Sequence, residues 1–247
     1  MLDYSRRNTI IPPLRYFEIF DQTSSTMNHK PLHVPGAIAA LRQTSGRGRR
    51  GRKWHSDYGG AWLTLFLPKS AIAATGPRIS LAIGGCLARS LEEHVKSPLG
   101  VKWPNDIYTE VGKLAGILIE KSGEVLAIGV GVNVYNKPPS MGANLASQGY
   151  SGKIAEIYTI IINSIYEAVY STDQCLQEAM KRDILKGREV IIDTGEGSLK
   201  GVALGIGTLG QLIVKGQDKI YEVYCCSVKA VINGKCSGRR DSTITAH

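Results

Sequence analysis

Apolar positions recur at two different spacings along the chain, and each spacing predicts a different element. Mixed aromatic and aliphatic residues over 14–20, and apolar residues over 37–41 and 61–67, predict short strands, the third of which ends at Pro68. Over 76–95 the apolar positions recur at helical spacing, which predicts one long helix. This part of the chain therefore predicts a sheet with a helix packed on it.

Two almost continuous apolar runs follow, at 114–120 and 125–134, with a four-residue connection between them. So short a connection predicts an antiparallel hairpin, and the lack of alternation predicts that both strands are buried. Helical spacing returns over 151–186 and predicts helices that cover one face of the sheet. The stretch between 27 and 36 is compatible with another helix, and the polar cluster at 21–26 predicts a loop.

The pattern changes again after Gly187. Short β-prone runs punctuated by glycine, which are typical of a small barrel, lie at 190–192, 201–204, 212–214 and 228–231. We therefore predict an α+β fold, with a mixed, largely antiparallel sheet packed against helices over residues 1–186 and a small β domain over 187–234. The polar tail at 235–247 lacks periodicity and is expected to be disordered.

The composition is that of an ordinary folded protein. Of the 247 residues, 43% are hydrophobic and 21% are charged, which excludes global disorder. No apolar run approaches the roughly 18 residues that span a bilayer, and no signal-peptide pattern opens the chain. We expect a cytoplasmic protein without membrane association.

The cysteines are odd in number and contain no C-x-x-C pair, which argues against both a disulfide framework and a zinc site. They are Cys86, Cys175, Cys225, Cys226 and Cys236. We expect reduced, mostly structural thiols. The histidines have no metal-ligand spacing either, so no metal ligand is assigned to the protein.

A net charge of +9 indicates an acidic partner, such as nucleotide phosphate, nucleic acid or an acidic protein surface. The arginine–glycine loop, residues 46–54, concentrates this charge: arginines stand at 47, 49, 50 and 52 among glycines, before Lys53 and Trp54. Glycine exposes backbone N–H groups and guanidinium groups pair with phosphate, so the loop predicts an anion site that is mobile until its ligand binds. An RNA-binding Arg/Gly patch is the alternative.

Two further segments carry polar residues at the ends of apolar strands. Asn105 and Asp106 follow Pro104 on a sharp connection, where their side chains either face a cleft or form an Asx turn by hydrogen bonding to nearby backbone. Lys113 enters a strongly apolar strand, where a lysine is unusual. Gly129 and Gly131 precede Asn133 without the third glycine of a dinucleotide-binding fingerprint, and they predict close approach of a ligand to a strand.

Four segments in this order and spacing resemble biotin protein ligases: 46–54, 102–106, 113–120 and 131–133. The resemblance covers nearly the whole chain. It implies a class II synthetase-like catalytic domain followed by an SH3-like β-barrel. It also implies an ATP-dependent, AMP-forming carbon–nitrogen ligase that uses Mg²⁺. Such an enzyme converts biotin to biotinyl-5′-AMP with release of pyrophosphate and then transfers biotin to a lysine of a carboxylase's biotin carrier domain.

The resemblance also implies roles for individual residues. The implied biotin contacts are Ser25, Thr26, Met27, Gln43, Arg47, Gly48, Arg49, Lys113 and Gly116. The implied ATP contacts are Arg49, Arg52, Trp54, Asn105, Asp106, Lys113 and Asn133. Lys113 and Arg49 are the expected catalytic residues. Met27 departs from the family pattern, which usually has asparagine there, so one polar contact is in doubt.

The partners follow from the same resemblance. A carrier domain is the expected acceptor and a homodimer the expected assembly. Only about fifteen residues precede the first predicted strand, too few for a winged helix-turn-helix domain, so we expect no specific DNA binding. A lipoate or octanoyl ligase-like acyltransferase is the nearest alternative enzyme.

Overall fold

The computed structural model describes residues 13–72, 77–139, 141–193, 197–225 and 227–232. Seven strands form the first sheet: β1 (Tyr16–Thr23), β2 (Gly36–Gln43), β3 (Ala61–Pro68), β4 (Gly100–Lys102), β5 (Asp106–Tyr108), β6 (Lys113–Ser122) and β7 (Val125–Val132). Their order in the sheet is β1-β2-β3-β7-β6-β5-β4. β1 and β2 are parallel, and every other neighbouring pair is antiparallel.

Three helices cover one face of this sheet: α1 (Pro77–Glu92), α2 (Ile154–Tyr170) and α3 (Thr172–Lys181). Leu63, Val130 and Ile117 stand directly opposite one another on β3, β7 and β6, and all three are buried in the core that the helices complete. Successive side chains of a strand alternate between faces. The residues before and after each of these three along its own strand therefore project from the other side of the sheet. Among the described residues, no helix is both long and apolar enough to cross a membrane.

The second sheet contains five antiparallel strands: β8 (Glu189–Asp193), β9 (Ser198–Ile206), β10 (Leu212–Lys215), β11 (Ile220–Val223) and β12 (Ser227–Ile232). Its strand order is β11-β10-β9-β8-β12. The two sheets belong to one packed body, because the buried indole of Trp103 donates to the carbonyl of Gly210 at 3.0 Å. The Asp183 carboxylate also accepts from the backbone N–H of Ile206 at 3.1 Å.

The hydrophobic pattern correctly predicts the long strands, the α1 helix and the β6–β7 hairpin. The helix expected between 27 and 36 is wrong: a single 3₁₀ turn at Thr26–Asn28 is the only helical segment there. β1 also runs further than expected, so the predicted loop at 21–26 begins only after Thr23. β4, β5 and β11 were not predicted, and the tail at 235–247 lies outside the described residues.

The cysteine prediction is corrected by the structure. Cys86 of α1 and Cys175 of α3 form a disulfide, although they lie 89 residues apart and neither belongs to a C-x-x-C motif. Both side chains are fully buried between the two helices. The expectation of reduced thiols is therefore wrong for this pair, because spacing along the chain does not limit which cysteines meet in the folded protein.

Candidate active site

A line of five paired residues crosses the sheet face opposite the helices. The strand register pairs Trp62 with Gly131, Gly131 with Gly116, Gly116 with Asp106, and Asp106 with Lys102. Directly opposed residues of antiparallel strands project from the same face, so these five residues form one line across five strands. We call this line the central row. It begins with a buried indole, passes over two glycines and ends in a carboxylate and an ammonium group.

The side chain of Trp54 lies flat against the two glycines. A methyl group added to Gly131 would stand 2.5 Å from the indole Nε1, and one added to Gly116 would stand 3.2 Å from Cζ3. At Gly131 a side chain would displace the indole, and at Gly116 the indole would have to give by a few tenths of an ångström, so both glycines let Trp54 approach the sheet closely. In the described part of the molecule, the buried Nε1–H of Trp54 has no hydrogen-bond partner, so it can donate to a bound ligand.

The arginine–glycine loop is a small closed turn above the central row. Gly48 N–H donates to the carbonyl of Arg52 at 2.7 Å, and Trp54 N–H donates to the carbonyl of Gly46 at 2.9 Å. Arg50 occupies the left-handed backbone region with a φ of 57°, which tightens the turn.

The arginines of the loop contact three different parts of the protein. Arg47 pairs with Glu120 at 3.0 Å, and Arg49 donates to the amide oxygen of Asn105 at 3.2 Å. Arg50 forms an ion pair of 3.3 Å with Asp193 of the second sheet. These contacts offset part of the repulsion among the guanidinium groups. That the loop is mobile without an anion stays a prediction.

Lys113 reaches the ligand face through an irregularity in the sheet. The register between β5 and β6 shifts, so that Lys113 opposes Tyr108 while Gly116 opposes Asp106. Leu114 remains fully buried in the core while Lys113 turns the other way, which explains how a lysine can begin so apolar a strand. The Lys113 ammonium lies 2.7 Å from the Asp106 carboxylate and 5.0 Å from the centre of the Trp54 ring.

Two amides, the buried Asn133 and the half-buried Asn105, hold these groups in place. Asn133 donates from its side chain to the carbonyl of Lys113 at 3.4 Å and accepts from Asn136 at 2.9 Å. Asn105 donates to the carbonyl of Ile117 at 2.8 Å and accepts from Arg49. Both amides therefore position the expected catalytic residues. Direct contact of either amide with a nucleotide stays a prediction.

A polar network lies on the same face at β2 and β3, away from Lys102 and Asp106. The Gln43 side-chain oxygen accepts from the backbone N–H of Thr26 at 2.8 Å and from its hydroxyl at 3.1 Å. The Gln43 amide donates to Ser56 at 2.8 Å, and the Thr64 hydroxyl donates to that of Thr26 at 2.7 Å. Ser25 is buried beside them and accepts from Met27 N–H. This arrangement can bind a small ligand with several polar atoms.

Met27 lies over Gly129 of β7, next to the polar network. Its sulfur would stand 2.6 Å from a methyl group on Gly129, and it packs against an apolar cluster that contains Ile38, Phe66 and Ala127. The residue that departs from the family pattern therefore supplies an apolar wall in this structure.

Sequence reasoning missed several residues at this face. Thr64 and Ser56 complete the polar network, and Thr64 left a signal as the one polar residue among the apolar residues of β3. Beside Arg49, a cavity of about 190 Å³ is also lined by Tyr224 and Cys225, which follow β11. The second sheet thus contributes to the surroundings of the site, which no motif predicted.

Comparison with known proteins gives one consistent result. A family model described as the biotin/lipoate A/B protein ligase family matches residues 16–134. The biotin–[acetyl-CoA-carboxylase] ligase of Paracoccus denitrificans is 30% identical over 200 residues, which cover 72% of this chain and 83% of that protein. The bifunctional ligase/repressor BirA of Escherichia coli is 32% identical over 205 residues, which cover 74% of this chain and 62% of BirA. The chain thus spans less than two thirds of that relative's length.

A solved structure has the same fold. It is the biotin protein ligase from Aquifex aeolicus in complex with biotin and ATP, which superimposes with a TM-score of 0.78 at 26% sequence identity. The match covers 87% of this chain and 99% of the other. The likeness therefore extends over both sheets rather than over the motifs alone.

Proposed function

The chain belongs to the biotin/lipoate A/B protein ligase family, and from this membership we propose that it is a biotin–protein ligase. In the first step the biotin carboxylate attacks the α-phosphorus of ATP, which yields biotinyl-5′-AMP and pyrophosphate. In the second step a lysine of a biotin carrier domain attacks the acyl carbon and releases AMP. The observation that carries the proposal is the ion pair of Lys113 with Asp106 beside the two glycines that Trp54 covers.

The cationic groups supply the chemistry of the first step. Negative charge accumulates on the phosphoryl oxygens as the carboxylate attacks, and a preorganised ammonium or guanidinium group stabilises that charge. Lys113 is the residue for this role, since it stands at the glycines where carboxylate and phosphate would meet. Arg49 lies above it in the loop. No covalent nucleophile of the enzyme is required.

The two ends of the face match the two substrates. The hydrogen-bonded network of Thr26 and Gln43 offers donors and acceptors to the polar ring of biotin, and Met27 offers it an apolar wall. We assign Arg49, Arg52 and Trp54 to the nucleotide, because guanidinium groups pair with phosphate and an indole can stack on adenine. Closure of the arginine–glycine loop over the adenylate would exclude water, which protects the mixed anhydride from hydrolysis.

Mg²⁺ belongs to the proposal as an ion carried by the nucleotide. Among the described residues, the only cluster of three possible ligands is Cys86, Glu167 and Cys175, and its cysteines are joined in a disulfide. At the site itself the Asp106 carboxylate is paired with Lys113. These residues suit Mg²⁺ that is held mainly by phosphate oxygens and water, where it would neutralise triphosphate charge.

Further features of the family are part of the same proposal. The acceptor is the biotin carrier domain of a carboxylase, the assembly is a homodimer, and the five-stranded second sheet is an SH3-like barrel. The antiparallel order of the short strands β8 to β12 supports the last point. Cytoplasmic location and the absence of specific DNA binding stay predictions.

The decisive experiment is transfer of labelled biotin to a biotin carrier domain, with and without ATP. We expect label on the acceptor lysine only when ATP is present, with AMP and pyrophosphate as products. A parallel reaction with lipoate or octanoate tests the acyltransferase alternative, because the matched family includes lipoate ligases. Transfer of lipoate in preference to biotin would overturn the proposal.

A further inference from the structure

Lys102 is the outermost residue of the central row, and no role has been given to it. It ends β4, the edge strand of the first sheet, and stands directly opposite Asp106. Val101, its neighbour in the strand, is buried in the core, so Lys102 projects from the same face as the glycines under Trp54. Neighbouring strands lie ~4.8 Å apart, which places Lys102 about 10 Å beyond Gly116.

The Lys102 ammonium has no anionic partner within the described residues. It lies 5.2 Å from the centre of the Tyr108 ring, while the carboxylate of Asp106, which stands opposite it, is paired with Lys113. The charges that act on Lys102 are thus one anion, Asp106, and two further cations, Lys113 and Arg52. A cluster with so many more cations than anions is stabilised when a polyanion binds.

The electrostatic surroundings of Lys102 agree with this geometry. Burial lowers the pKa of its ammonium below the ordinary value, Asp106 raises it, and the charges of Lys113 and Arg52 lower it further. A bound polyphosphate would reverse the effect of these two cations. The free protein therefore holds Lys102 in a state that favours an anionic ligand.

We propose that Lys102 binds the β- and γ-phosphates of ATP and the pyrophosphate that they become. This inference rests on the proposed function. The bond between the α-phosphorus and the bridging oxygen breaks as the biotin carboxylate attacks, and the electron pair leaves on pyrophosphate. If the α-phosphate lies beside Lys113, the next two phosphates extend along the central row towards β4. Lys102 stabilises the leaving group there and takes no part in the second step.

A neutral amine at this position would support a different role. Lys102 could accept the proton of the acceptor lysine as that lysine attacks the adenylate. The two roles act in different half-reactions, so they can be separated by experiment.

The test compares Lys102→Met with Lys102→Arg in both half-reactions. For Lys102→Met we expect biotin-dependent exchange of pyrophosphate into ATP to show a KM for pyrophosphate raised about tenfold or more, because one charge-assisted contact is lost. Transfer to a carrier domain from supplied biotinyl-5′-AMP should stay within about twofold of the unmodified protein. Lys102→Arg should recover most of the exchange. Lys121→Met removes an exposed lysine from the far end of β6 and is the matched control.

Two results would overturn the inference. One is unchanged exchange in Lys102→Met; the other is a loss confined to the transfer step with a shifted pH profile, which would assign Lys102 to proton transfer. Binding of inorganic pyrophosphate, measured by calorimetry on folded unmodified protein and on Lys102→Met, gives a readout independent of turnover. A protein that binds pyrophosphate through Lys102 but shows no biotin-dependent exchange would refute the proposed function alone. If Lys102→Met does not fold, Lys102→Gln replaces it.

Discussion

A single shift of register decides where the charge of Lys113 lies. Without it, Lys113 and Gly116 would project from opposite faces of β6, because they are three positions apart, an odd number of steps along the strand. The irregularity between β5 and β6 brings both to the ligand face, and the buried Asn133 holds the backbone there. One residue in an otherwise apolar strand thereby becomes the centre of the site.

Replacement of Lys113 by alanine tests that assignment. We expect Lys113→Ala to lower biotin-dependent exchange of pyrophosphate into ATP at least about 100-fold, since the developing phosphoryl charge loses its nearest cation. Exchange is followed with labelled pyrophosphate at saturating biotin. Lys121→Ala should behave as the unmodified protein. Exchange retained in Lys113→Ala would contradict the role.

Arg49 is expected to retain the adenylate as well as to offset charge while it forms. Arg49→Gly removes the guanidinium that donates to Asn105 and opens the loop above the site. We expect biotinyl-5′-AMP to escape roughly ten times faster or more, as for a lost charged contact, and to label unrelated proteins. Release is measured by the label found on a bystander protein that lacks a carrier domain.

The same loop supplies the control. Arg50→Gly makes an identical change of charge at a position whose positive φ suits glycine, and Arg50 pairs with the second sheet instead of Asn105. It should release far less adenylate than Arg49→Gly. Release from Arg49→Gly no faster than from the unmodified protein would refute the retaining role.

Two adjacent glycines of α1 show how tightly this helix packs against α3. A methyl group on Gly84 would meet only the side chains of Ile117 and Val101 at ordinary contact distances, whereas one on Gly85 would collide with the backbone of Cys175 and Ala179. We expect Gly84→Ala to raise the free energy of unfolding by up to about 1 kcal/mol. We expect Gly85→Ala to lower it by about 1–3 kcal/mol.

Urea unfolding of the two variants measures the difference. Both replace a buried glycine of one helix by alanine, so they differ mainly in their surroundings. Equal stabilities for Gly84→Ala and Gly85→Ala would mean that α1 and α3 do not approach as closely as the structure has them.

The sequence could predict elements that carry their own period. The β6–β7 hairpin and α1 were predictable because continuous or helically spaced apolar residues are local signals. β4 and β5 contain three residues each, too few for any period, so the edge strand that carries Lys102 was missed. The parallel pairing of β1 with β2 depends on contacts across the sheet and leaves no mark in either segment.

The candidate site divides in the same way. The arginine–glycine loop was predictable because several arginines among glycines within a few residues are a local signal of an anion site. Lys113 was predictable because a lysine is unusual at the start of an apolar strand. The register shift that turns Lys113 outwards, and the wall that Met27 forms over Gly129, arise from packing and could not be predicted. The binding roles assigned to these residues stay predictions.

The disulfide joins two distant parts of the whole chain. Because Cys86 and Cys175 enclose a long segment that includes β4 to β7 and α2, their bond limits the freedom of the unfolded state. We expect reduction to lower the free energy of unfolding by about 2–4 kcal/mol. Thermal unfolding with and without a reductant should show Tm lower by roughly 5–10 °C in the reduced protein.

The double replacement Cys86→Ala/Cys175→Ala should make Tm insensitive to reductant. Cys225→Ser leaves the disulfide intact and should respond like the unmodified protein. If the reductant leaves the Tm of the unmodified protein unchanged, the two thiols are not joined in solution.

The central row makes the candidate site depend on the alternation of side chains along each strand. Its five members project from the same face because side chains alternate with a period of two residues, and a shift of one residue in any strand would turn its member to the other face. Insertion or deletion of one residue within β7 would turn Gly131 into the core and a bulky valine towards Trp54, although the composition of the strand would hardly change. Changes of length that spare the site must therefore occur in pairs, or in the connections between strands.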